Sequence, residues 1–210
     1  MSDAVIEQTG KWASFKQYEF LLFSILLFIC KSFLLVRLPY RDWNTNTIYT
    51  SLILIAFYCY FRFRYKLAPP IVLVFFLGAA VAVDIVGNYF QIYDKKFGPV
   101  QYDEFSHFVT AGFSLPPAMW LLKVTTRRFG HRLPINLLAF LSSAITFSFA
   151  AYYEILELWD ENFYGGKRLH TPTDSANDLQ FGLAGIITAA LITSMVFKLR
   201  ERRAVLNEFE

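Results

Sequence analysis

The chain has 210 residues, of which 55% are hydrophobic and 19% aromatic, with mean hydropathy +0.37 and net charge +3. This excludes an ordinary soluble domain, because the charged residues, 18% of the total, fall between apolar runs instead of along one face of amphipathic helices. The small positive excess is a topology signal that implies no nucleic-acid partner, and Cys30 and Cys59 lie inside apolar runs, where a thiol acts as a small hydrophobe.

The first twelve residues, MSDAVIEQTGKW, contain two acids and lack the basic, apolar and small-residue order of a cleavable signal, so the first apolar run is expected to be retained. A transmembrane helix needs about 20 mostly apolar residues. Six segments satisfy that: 18–36, 47–63, 69–90, 105–122, 134–159 and 178–199. Pro116 and Pro117 predict a kink or a break in the fourth, and Gly182 and Gly185 predict close helix packing in the sixth. The intervening segments are polar or punctuated by Pro and Gly, which marks them as loops.

Cytoplasmic loops carry the excess of Lys and Arg. With six spans, the side holding both termini and the second and fourth loops has thirteen of the twenty cations, among them Lys123, Arg127, Arg128, Arg132 and Lys198. The expected fold is therefore an all-α polytopic integral membrane helix bundle, one membrane domain over 1–210, with six transmembrane helices and cytoplasmic N and C termini.

Acids inside spans are costly, about 2.5–3.5 kcal/mol at a helix centre, so each calls for a partner or a role. Span three carries Asp84 and Asn88, four apart on one face; Asp103 and His107 repeat that spacing at the start of span four. Span five ends with Glu154 and Glu157, and Asp174, Asn177 and Asp178 lead into span six. Alternating span direction puts these groups in the outer half of the bilayer. Carboxylates with one imidazole suit a divalent metal ion, for which Asp84, Asp103, His107, Glu154, Asp174 and Asp178 are the candidate ligands. His107, Glu154 and Glu157 are the candidates for acid–base work, and Asn88, Asn177 and Arg168 for substrate contacts. The same groups suit a proton relay. Asp103 and Glu104 also suit a plain helix start, where an acid favours the dipole and caps free amides, and His107 or the glutamates suit interhelical or Arg pairing.

The stretch YDEFSHFVTAGF, Tyr102 to Phe113, resembles the acid-x3-His-Phe pattern of VanZ-like proteins and of related YjdF-type bacterial inner-membrane proteins. YEILELW, Tyr153 to Trp159, and TPTDSANDLQFGLAG, Thr171 to Gly185, resemble the family's Glu-rich helix end and its Asp-x3-Asp entry to a glycine-containing last span. VanZ-like proteins often carry a basic residue where this chain has Glu104 and Gln where it has Glu157, so the YjdF-type pattern is the nearer one. The resemblance implies a bacterial or archaeal multi-pass membrane protein and leaves the activity open. Three functions are expected to compete: a site, metal-dependent if enzymatic, acting on a membrane lipid or lipid-linked substrate; a small transporter with a cation or proton path; and an accessory protein whose acids form an interhelical clamp.

Overall fold

The computed structural model describes residues 70–164 and 173–206, together with Tyr60, Phe63 and Arg64. The expected first span, most of the second, Arg168 and both extreme termini lie outside the described residues. The chain divides into two compact units, Met1–Phe75 and Phe76–Glu210. In the first, Tyr60, Phe63 and Arg64 are helical and exposed. The second carries the candidate site.

Four helices and one short hairpin follow in chain order: α1 (Ile71–Phe90), β1 (Lys96–Phe97), β2 (Val100–Gln101), α2 (Tyr102–Arg128), α3 (Ile135–Tyr164) and α4 (Asp174–Leu206). Each helix matches an expected span and overruns it at one end or both, except α1, which starts two residues late. The hairpin was not expected. Its strands pair antiparallel with Lys96 opposite Gln101 and Phe97 opposite Val100, and Gly98 takes the positive φ of 70° that a two-residue turn needs.

Of the kink or break expected at the prolines of α2, the break does not occur: the helix is continuous through Pro116 and Pro117. A proline forfeits one backbone bond and is tolerated where neighbouring helices support the freed carbonyl. Gly112, whose carbonyl Pro116 leaves without its helical partner, is buried against α4, where a Cβ would lie 3.1 Å from the Gly185 carbonyl oxygen. A Cβ on Gly185 would in turn collide with the Phe108 carbonyl. Two glycines thus let the α2 and α4 backbones touch, as the Gly182/Gly185 pattern leads one to expect for the second of them.

Below this crossing Leu115, Met119, Leu138 and Ile186 form a fully buried core shared by α2, α3 and α4. The remainder of the bundle is inside-out for a protein in water. Ser142, Thr146, Glu154, Glu157, Asp174 and Asp178 are buried, whereas Phe140, Phe149, Phe163 and Leu191 are each more than 65% exposed. Such a surface fits hydrocarbon. Among the described residues two helical segments, Ile135–Phe163 and Asp174–Leu199, are long and apolar enough to cross a membrane. The α2 segment is not among them, since His107, Thr110, Ser114 and two prolines dilute its middle.

Candidate metal-binding site

Asp103 and His107 sit one turn apart near the start of α2, so their side chains share a face. The crossing of α2 with α4 turns that face toward Asp178, and α3 delivers Glu154 from the other side. His107 Nε2 lies 3.4 Å from Asp103 Oδ1 and 3.9 Å from Asp178 Oδ2, while Nδ1 lies 3.6 Å from Glu154 Oε1. One imidazole is therefore enclosed by three carboxylates from three helices. Its ring stands 6.5 Å from that of Tyr153. The site is largely dry: the side chains of Glu154 and Asp178 are 5% exposed and that of His107 18%.

Two roles divide within this group. One ligand atom each from Asp103, His107 and Asp178 lies within 4.8 Å of the others, the only such cluster of three among the described residues. Ligands of a tetrahedral ion with bonds of about 2.1 Å stand about 3.4 Å apart, close to the two Nε2 distances. Glu154 faces the opposite ring nitrogen, the position from which a carboxylate orients a ligating histidine. Its Oε2 is buried with no hydrogen-bond partner among the described residues.

The adjacent acids are sorted by the fold. Glu104 hydrogen-bonds back to the Gln101 backbone, whose N–H donates to Oε2 at 2.8 Å. It caps α2, while Asp103 turns inward. Asp84 accepts a 2.7 Å hydrogen bond from the Tyr93 hydroxyl and stands outside the three-ligand cluster. Glu157 and Asp174 are buried one turn from Glu154 and Asp178 on the same helix faces. Asn177 lies in the first turn of α4, its N–H donating to the Thr173 carbonyl at 3.0 Å. Asn88 falls in α1 with its side chain outside the described residues, as is all of Arg168.

Tyr93 is the residue that reading along the chain missed. Gln91 adopts a positive φ of 51° and the Ile92 N–H bonds the Gly87 carbonyl at 3.1 Å, which reverses the chain at the end of α1. The Tyr93 and Tyr102 rings then cross Gly87 so closely that a Cβ there would meet each at 2.6 Å. The Tyr102 hydroxyl donates to the Val83 carbonyl at 2.7 Å. Burial first, and then the charge of Asp84, hold the Tyr93 phenol well above its ordinary pKa, so it stays a neutral donor. The available signal was Gly87 followed by aromatics, which is visible in the chain but not specific.

Residues 19–199 match the family described as predicted membrane protein (DUF2238). No curated protein and no solved structure matches the chain.

Proposed function

The chain belongs to the predicted membrane protein family DUF2238, and from that footing we propose a VanZ/YjdF-like, six-span protein of the bacterial inner membrane with both termini cytoplasmic. Its Asp103–His107–Asp178 cluster holds a divalent metal ion near the outer leaflet and acts there on a lipid or lipid-linked substrate. The observation that carries this reading is the arrangement around His107, with two carboxylates at ligand spacing from Nε2 and a third behind Nδ1. Three carboxylates around one imidazole in a dry site are costly to keep ionised together, and a bound cation would offset that cost. Carboxylate and imidazole donors suit zinc, manganese or iron. Such an ion would acidify a water in its open position, and Glu157, one turn from Glu154, is our candidate to accept its proton during hydrolysis or group transfer. Asn88, Asn177 and Arg168 remain the candidates for substrate contacts.

A proton or cation path needs polar groups to continue across the bilayer. Among the described residues no ionisable side chain is buried beyond the site, where Leu115, Met119, Leu138 and Ile186 pack together, which favours a site open to one side only.

Elemental analysis of the detergent-purified full chain tests the proposal. One equivalent of metal is expected in the parent protein, with near-complete loss in His107→Ala and Asp103→Asn that remain helical and monodisperse. A parent protein free of stoichiometric metal, and unable to take up zinc, manganese or iron on dialysis, overturns it. Variants that fail to fold while the parent is metal-free point to an interhelical clamp instead.

A further inference from the structure

At the end of the bundle remote from the acids, α2 stops, turns through Gly130 at φ 81°, and hands over to α3. A cavity of about 40 Å³ opens there, and Lys123, Thr126, Arg127 and Arg132 supply its polar lining, with Ile135 and Leu138 as its floor. No carboxylate among the described residues lines it. Among the described side chains every Asp and Glu lies instead toward the opposite end, from Asp84 and Asp94 to Asp178. We propose that this pocket binds the phosphate-bearing headgroup of an anionic phospholipid.

Three observations converge. The first is depth: the apolar segment of α3 begins at Ile135 and that of α4 ends at Leu199, so the cavity floor meets the place where both enter hydrocarbon. A headgroup phosphate sits at that level. The second is geometry. The Lys123 ammonium is held 4.2 Å from the centre of the Phe197 ring, which fixes one cation between α2 and α4 by a cation–π contact. Arg127 and Arg132 approach from either side of the turn, and guanidinium groups bind phosphate through paired N–H donors. The third is size. A water requires about 10–15 Å³ on this measure, so the cavity has room for several waters or for the inward oxygens of one phosphate. Basic pockets between helices at a membrane face are where anionic headgroups bind. This inference rests on the membrane placement of α3 and α4 and is independent of metal at the other end.

The test uses the full chain in detergent, with native mass spectrometry counting phosphatidylglycerol and phosphatidylcholine retained as each is titrated. The parent is expected to retain phosphatidylglycerol preferentially. Each basic group near the surface adds about fivefold to anionic-lipid affinity, so Arg127→Gln/Arg132→Gln should lower phosphatidylglycerol affinity about 30-fold and leave phosphatidylcholine unchanged. The control Lys95→Gln/Lys96→Gln, in the exposed loop at the opposite end, should change neither. Should the double Gln variant not fold, Arg127→Lys/Arg132→Lys keeps the charge and loses the paired donors, and a severalfold drop is then expected. Equal loss in the Lys95/Lys96 control, or no lipid preference in the parent, overturns the proposal. Full competition by inorganic phosphate without lipid preference assigns the pocket to a free anion and overturns it as well.

Discussion

At the scale of single residues, the fold gives different work to acids that look equivalent in the chain. Asp84 is held by a phenol, Glu104 by a backbone amide, and Asp103 by the imidazole it shares with Asp178. The Asp84–Tyr93 bond joins the loop after α1 back to its helix, and a hydrogen bond to a charged group is worth about 1.5–3 kcal/mol. Tyr93→Phe is expected to lower stability by about that much at neutral pH. The pH dependence has a definite sign. Burial and Asp84 raise the phenol above its ordinary value of 10.0 in the folded state, so the unfolded chain loses the proton first. Stability is therefore whole below about pH 10 and falls as pH rises beyond it. Chemical denaturation at a series of alkaline pH values should show a shallower decline in Tyr93→Phe than in the parent, with a residual slope from Tyr102, whose phenol is raised chiefly by burial. A parallel decline in both proteins would remove Tyr93 from this role.

At the scale of elements, the start of α2 and its crossing with α4 decide whether there is a site at all. Glu104 and Asp103 are neighbours, yet a helix turns successive side chains by about 100°. One therefore caps the helix while the other enters the bundle. Loss of a capping interaction costs about 1 kcal/mol. Glu104→Ala should thus lower the melting temperature by a few degrees and leave metal content unchanged, whereas Asp103→Asn should do the reverse; metal loss in Glu104→Ala would contradict the division of labour. The crossing depends on Gly185 passing the Phe108 carbonyl with no side chain between them. Gly185→Ala forces the two backbones apart, and overpacking of this kind costs about 1–3 kcal/mol. Thermal unfolding in detergent should register that loss together with weaker metal binding, because Asp178 lies two turns earlier on the same helix. Unchanged stability would mean that the helices have slack at the crossing.

At the scale of the whole molecule, the polar interior and apolar exterior of α3 and α4 are what a bilayer demands, and the proposed topology rests on charge. The proposed topology puts the hairpin loop on one side of the membrane and the α2–α3 turn on the other. Single cysteines at Lys95 and Arg128, in a Cys30→Ser/Cys59→Ser background, should react with an impermeant maleimide from opposite sides of intact spheroplasts. Labelling of Lys95→Cys is expected from outside and of Arg128→Cys only after lysis. Labelling of both from one side would remove the six-span arrangement. Much of this was legible along the chain, because helix length, apolar runs and the cost of burying an acid are local properties. They were enough to locate the helices around residues 71–90, 102–128, 135–164 and 174–206 and to mark Asp84, Asp103, His107, Glu154, Glu157, Asp174 and Asp178 as candidates. Only the tertiary structure decided which of those acids meet. That depends on how far each helix is rotated and slid against its neighbours, and here Gly112 and Gly185 set both by letting two backbones touch. The same contact brings His107 up to Asp178, while the chain reversal at Gln91 gives Asp84 to Tyr93 instead.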